Sequence, residues 1–192
     1  MERNLKKIVF TGAPSSGKST AIEALSGFSK KLVIVPETAS LLLAGGYPPP
    51  DVGNLNQVRT FQKIILDLQK NLEEMFAYKN PKATHMILDR AILDGVGYWP
   101  KGPEAFLREF KINVNAVLDR YDFVIFFEMP PKKYFGGVHL KRFHDYQQSK
   151  EIGEKQFSIW KQHKNFIKIP SYDNFSQKIK HAVEVVEEII DA

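Results

Sequence analysis

The stretch Gly12-Ala13-Pro14-Ser15-Ser16-Gly17-Lys18-Ser19 decides how this chain reads. It fits G-x-x-x-x-G-K-[ST], the phosphate-binding P-loop. Before it, Lys7-Ile8-Val9-Phe10-Thr11 reads as a short strand; after it, Thr20-Ala21-Ile22-Glu23-Ala24-Leu25 reads as a helix. A glycine loop between strand and helix presents several backbone N–H groups at the positive end of the helix, a geometry that binds phosphate. Residues Gly12 to Thr20 are therefore the expected nucleotide cradle. Lys18 would reach the β- and γ-phosphates, and Ser19 would offer its hydroxyl to Mg²⁺.

Four further β-type runs follow: Leu32 to Pro36, His85 to Asp89, Phe123 to Glu128 and Asn165 to Ile169. They are aliphatic or aromatic with little alternation, as strands covered on both faces are. Helical patterns separate them. Val58, Phe61, Ile64, Ile65, Leu68, Leu72, Met75 and Phe76 recur every three or four residues and predict a long amphipathic helix from about Asn56 to Tyr78. Phe106, Phe110, Val114, Val117 and Leu118 predict a second helix. Ile179, Ala182, Val183, Val186, Ile189 and Ile190 predict the terminal one. Strands alternating with helices imply an α/β domain with a mainly parallel sheet and right-handed crossovers. Ligands then bind beyond the carboxyl ends of the strands, so Gly12, Glu37, Asp89 and Glu128 should share one rim. Gly45-Gly46-Tyr47-Pro48-Pro49-Pro50 is a loop by composition. Lys133 to Lys155, polar and basic, reads as a mobile helical lid, placed broadly at residues 130–160.

The 192 residues suit one domain. With 43% hydrophobic and 26% charged residues, an ordinary globular fold is expected. The chain has no cysteine, which excludes disulfides and thiolate metal sites and favours a reducing compartment. No signal-peptide pattern or membrane-length apolar run is present, so a cytoplasmic location is expected. The formal charge of +5 is spread over scattered lysines, densest from Lys132 to His144. It suits a protein handling polyanionic nucleotides, and no nucleic-acid-binding module accompanies it.

Chemistry-bearing residues cluster at the strand tips. Glu37, in Val35-Pro36-Glu37-Thr38-Ala39, is placed to accept a proton from an attacking hydroxyl or to orient a metal-bound water; the alternative is a helix-capping acid. Asp89 ends the third strand where P-loop enzymes keep their second acidic element, a Mg²⁺ holder with Ser19. Arg90 would point at a transferred phosphate or a substrate anion, with Asp94, four residues on, holding it. The lid offers Lys132, Lys133, Lys141 and Arg142. Arg142 is the preferred partner of the moving phosphoryl group because a guanidinium grips phosphate through two bonds. Tyr98-Trp99 is read either as a stacking surface or as packing.

G-A-P-S-S-G-K-S-T, P-E-T-A, F-Q on the long helix and L-D-R with a following Asp together resemble the small P-loop kinase-like AAA proteins. Among these is the ribosylnicotinamide kinase domain of the bacterial NAD-biosynthesis regulator; deoxynucleoside and thymidylate kinases are more distantly similar. The resemblance implies a three-layer, adenylate-kinase-like fold with sheet order 2-3-1-4-5. It places Glu37 near the phosphate acceptor, Asp89 and Arg90 at metal and phosphate, Gln62 facing the acceptor pocket, and adenine beside Pro170-Ser171-Tyr172-Asp173. No Asn-Lys-x-Asp guanine reader is present, which favours ATP over GTP.

The expected activity is an ATP- and Mg²⁺-dependent kinase with Lys18, Glu37, Asp89, Arg90 and Arg142 at its centre. Its partner would be a small hydroxylated, nucleoside-like acceptor contacted by Glu37, Gln62 and Arg90, without membrane or nucleic acid; a homodimer stays open. The alternatives are a nucleotide-dependent switch that hydrolyses ATP or GTP slowly and, on charge alone, a polynucleotide 5′-kinase.

Overall fold

The computed structural model describes residues 5–135 and 144–192. Strand β1 (Lys6–Gly12) leads into helix α1 (Lys18–Leu25), then β2 (Leu32–Val35), α2 (Thr38–Ala44), the 25-residue α3 (Leu55–Lys79) and β3 (His85–Asp89). A 3-10 helix at Ile92–Tyr98 follows, with α4 (Pro103–Glu109), α5 (Val114–Leu118) and β4 (Phe123–Phe127). A short 3-10 turn at Lys132–Tyr134 precedes α6 (Tyr146–Trp160), β5 (Phe166–Ile169) and α7 (Phe175–Asp191). The five strands form one parallel sheet in the order β2-β3-β1-β4-β5.

The weak alternation of the strands has a direct cause. Val9, Met86, Leu88 and Val124 enter the core layer with α3, α4 and α6, while their neighbours Ile8, Phe10, Ile87 and Ile125 enter the layer with α1 and α7. Each face of the sheet is thus covered, and both residue sets must be apolar. Each such side chain, fully buried, contributes roughly 1.5–3 kcal/mol.

Two elements depart from the sequence reading, and a third makes contacts that the sequence did not announce. The helix expected across Phe106 to Leu118 is two helices, α4 and α5. The chain turns at Lys111, which has φ of 51°, and Asn113 restarts it by accepting the amide of Ala116. The buried stripe of α3 is Val58, Phe61, Gln62, Leu66, Gln69 and Glu73, rotated from the apolar stripe so that Met75 is 54% exposed and three polar side chains face inward. The segment read as a lid contains α6, whose inner face is buried: Trp160 is wholly enclosed, and a Cβ added at Gly153 would lie 2.9 Å from that of Ala13. This half of the segment packs against the phosphate loop. Lys141, Arg142 and the Gly136-Gly137 pair lie outside the described residues.

Candidate active site

The cradle is built by the turn from β1 into α1. Gly12 has φ of 126°, and a Cβ there would sit 2.4 Å from the carbonyl oxygen of Phe127, so the chain leaves β1 pressed against β4 in a way that needs glycine. Ser15 (φ 63°) and Gly17 (φ 99°) are also left-handed. Helix α1 starts with no side-chain cap and no acid in its first turn. Its first N–H groups are therefore free for an anion. Ser19 and Thr20 lie exposed at this end, while Ala13 and Ser16 are buried and Pro14 is half-buried.

Lys18 is folded back over the loop. Its Nζ donates to the carbonyls of Gly12 (2.9 Å) and Ala13 (2.8 Å) and to Ser16 Oγ (3.2 Å). Burial, followed by repulsion from Arg90, pushes its ammonium down to about 7, against the pull of Asp89, Glu37 and Asp94. A phosphate replacing those carbonyls would hold the proton on Lys18.

The strand tips bring together Glu37, Asp89, Arg90 and Asp94. Glu37 occupies the N-cap position of α2 without capping it. Instead its carboxylate accepts Arg90 Nε at 2.7 Å and Ser40 Oγ at 2.5 Å. Burial raises this carboxyl, but Arg90, Ser40 and Lys18 outweigh it and leave it below the usual range, so Glu37 is an ionised acceptor. Asp89, at the end of β3, is pushed up to about 6 by burial and by the like charge of Glu37.

Arg90 holds a left-handed backbone (φ 69°), a conformation that non-glycine residues adopt mainly where surroundings compel it. Besides Glu37 it donates to Asp94 Oδ1 and the Gly12 carbonyl, both at 3.0 Å, and its guanidinium lies 5.6 Å from the centre of the Tyr98 ring. Asp94 also accepts Thr11 Oγ1 (2.8 Å), the Ala91 amide (3.1 Å) and Trp160 Nε1 (3.2 Å). Arg90 is thus fixed by residues from β1, α2 and the 3-10 helix.

The raised Asp89 makes the stability of the fold depend on pH. A carboxyl whose pKa is higher folded than unfolded stabilises the fold fully below pH 3.8, and that contribution fades as pH rises through about 6. Asp89→Asn is therefore expected to stabilise the protein at pH 7 by roughly 1–2 kcal/mol, solvent screening included. Urea melts at pH 4 and pH 7 check this: the variant should gain at pH 7 and show little gain at pH 4.

These residues line one cleft of about 1410 Å³. One end holds Gly17 to Thr20 with Tyr172, Asp173, Phe175 and Lys178. The other runs past Glu37 and Arg90 to Phe61, Gln62, Tyr98, Trp99 and Pro49-Pro50. Gln62 is only 4% exposed, and its Oε1 has no hydrogen-bond partner. Trp99 packs edge-on against Phe106 and Phe110, so the Tyr98-Trp99 pair divides into a ring beside Arg90 and a core side chain. Glu128 sits on the same rim but serves structure, accepting the Ser171 amide and Lys168 Nζ while its carbonyl accepts Lys178 Nζ. Lys178, whose ammonium burial lowers to about 8, escaped the sequence reading. The signal was available: positions 178, 182, 186 and 189 form the buried stripe of α7, and a lysine there is out of pattern.

The family described as "AAA domain" matches residues 7–177. The chain belongs to this AAA-domain family. With its P-loop, it is a nucleotide-binding domain of the P-loop class. Two solved structures share its fold. NadR protein in complex with NAD and AMP-PNP aligns with a TM-score of 0.63 and 17% identity, over 96% of this chain and 49% of that one. NadR protein in complex with NR aligns with a TM-score of 0.65 and 16% identity over the same shares. This AAA domain therefore spans about half the length of those chains. No curated protein matches its sequence. Among the described residues, no helix is long and apolar enough to cross a membrane.

Proposed function

We propose that this AAA domain is a phosphotransferase that moves the γ-phosphate of ATP to a hydroxyl of a small, nucleoside-like acceptor. The observation that carries the reading is the continuity of the cleft past the phosphate loop. A switch or simple hydrolase needs room for a water, whereas this cleft of about 1410 Å³ is lined by Phe61, Gln62 and Tyr98 as well as by Glu37 and the phosphate loop, room enough for a small acceptor. The NadR structures, one with AMP-PNP and one with NR, support the same reading by fold.

Among the described residues no cluster of three or more acidic or histidine side chains is assembled for a metal. That fits Mg²⁺, which one or two protein oxygens and substrate phosphates hold together with waters. Ser19 and Asp89, both on the cleft, are the residues that would hold it; when bound, it neutralises charge on the β- and γ-phosphates. The protein groups then divide the work. Lys18 and the amides of the loop bind the phosphate tail. Glu37, ionised and on the cleft, accepts the proton of the acceptor hydroxyl. Arg90 keeps Glu37 in place and adds positive charge to the floor. Arg142 is proposed to add a cation to the moving phosphoryl group. Tyr172 and Asp173, from the loop after β5, and Phe175 border the end assigned to the adenine.

Purified protein incubated with γ-labelled ATP, Mg²⁺ and a nucleoside panel that includes ribosylnicotinamide tests this. Label is expected on one of the nucleosides. Release of inorganic phosphate alone, unaffected by any acceptor, would overturn the kinase reading in favour of a slow switch. Salt-sensitive binding of single-stranded nucleic acid would instead favour a polynucleotide 5′-kinase.

A further inference from the structure

Helix α2 carries Glu37 at its start yet is poorly anchored by its own sequence. Of its seven residues Thr38-Ala39-Ser40-Leu41-Leu42-Leu43-Ala44, only Thr38 is buried, and Leu41 is 40% exposed. An apolar helix of this length would ordinarily be held by its leucines. Here the enclosed contact is polar: Thr38 Oγ1 donates to Gln69 Oε1 on α3 at 2.6 Å.

Gln69 has its orientation dictated from behind. Its Nε2 donates to Glu73 Oε1 at 3.3 Å. Glu73 is wholly buried and also accepts Lys7 Nζ (2.8 Å), Arg120 Nη2 (3.1 Å) and Tyr121 Oη (3.2 Å). A carboxylate paired with two cations only accepts hydrogen bonds, so the amide nitrogen must face it and the amide oxygen must face Thr38. The donors come from β1 and from the turn before β4, the centre of the sheet. A rigid line therefore runs from the sheet through Glu73, Gln69 and Thr38 to the backbone beside Glu37. At its far end the Glu37 carboxylate meets Arg90, itself fixed to β1 through the Gly12 carbonyl.

We infer that Gln69 is a positioning residue: oriented by Glu73, it fixes Thr38 and so sets where the Glu37 carboxylate stands in the cleft. The inference rests on the role proposed for Glu37. A purely structural network would affect stability and leave turnover of the folded protein alone. A positioning network acts on kcat, because displacing a reacting group by about 1 Å costs up to about 10²-fold.

Thr38→Val removes the hydroxyl without changing volume, and Thr38→Ser keeps it. Well below the melting temperature, Thr38→Val and Gln69→Leu are each expected to lower kcat at least about tenfold, with KM for ATP within about twofold of wild type. Thr38→Ser should stay close to wild type. The double variant Thr38→Val/Gln69→Leu should be no worse than the poorer single one, since both remove the same Thr38–Gln69 bond and only Gln69→Leu also loses the bond to Glu73. An unchanged kcat in Thr38→Val, additive losses, or Thr38→Ser failing as Thr38→Val does would overturn the inference. Hydrogen exchange separates this from the fate of the kinase reading. The amide of Leu41, which donates to the Glu37 carbonyl at 3.1 Å, should exchange faster in Thr38→Val while core strands stay protected. If the wild type transfers phosphate to nothing, the kinase reading falls and exchange alone decides the anchoring: unchanged protection at Leu41 overturns it.

Discussion

Lys18→Ala is expected to lower phosphoryl transfer by about 10²–10³-fold, equivalent to roughly 3–4 kcal/mol of lost transition-state stabilisation. The reason lies in where Lys18 is held. Its Nζ is buried and satisfied by two loop carbonyls and the Ser16 hydroxyl. A phosphate entering the cradle would take the place of those carbonyls and hold the proton on Lys18, with little water to displace. Burial there lowers the ammonium pKa to about 7. An alanine leaves the loop amides able to bind phosphate but removes the cation that, on the proposed reading, follows charge onto the γ-phosphate. Nucleotide affinity should therefore fall less than turnover. Single-turnover rates measured beside equilibrium ATP binding separate the two. Turnover within about threefold of wild type would remove Lys18 from the centre of the chemistry.

The parts of this molecule that follow from local pattern were open in the sequence. Aliphatic runs with little alternation mean strands covered on both faces, and Ile8, Val9 and Phe10 do divide between two core layers. The P-loop was legible for the same reason: strand, glycine turn and helix are consecutive. The inward face of α3 was not legible, because periodicity assigns apolar residues to the core and here Gln62, Gln69 and Glu73 take that face. Their burial depends on partners far away in sequence, Lys7 and Arg120 for Glu73 and Thr38 for Gln69. The same limit applies to α6. The polar, basic segment from Lys133 to Lys155 suggested a lid; that α6 packs Gly153 against Ala13 of the phosphate loop and Trp160 against Asp94 was not legible. Neither contact leaves a trace in spacing. Glu37 was legible as a strand-tip acid, but only the fold shows that Arg90 and Ser40 draw it away from capping α2.

Asp94 is where fold and site depend on each other most, and Asp94→Ala is expected to cost about 3 kcal/mol of stability as well as activity. Asp94 is 3% exposed and receives Thr11, Arg90, the Ala91 amide and Trp160. Burial pushes its carboxyl up, and Arg90 and the Thr11 hydroxyl oppose that. Removing it leaves Arg90 with Glu37 as its remaining carboxylate and strips buried donors on Thr11 and Trp160 of their acceptor. Asp94→Asn keeps the volume and one acceptor oxygen, so it should lose less stability than alanine. It should still lose turnover, because an uncharged partner no longer holds the guanidinium that steadies Glu37. The two variants thus split the roles: stability should rank wild type, Asn, Ala, while kcat should fall in both. Urea unfolding followed through tryptophan emission reads the first effect, with Trp160 hydrogen-bonded to the altered side chain. Initial rates at saturating ATP read the second. A loss of under about 1 kcal/mol in Asp94→Ala would mean that the bonds from Asp94 to Thr11, Arg90 and Trp160 are replaceable by water, and the proposed coupling of α6 to the floor of the cleft would fail with it.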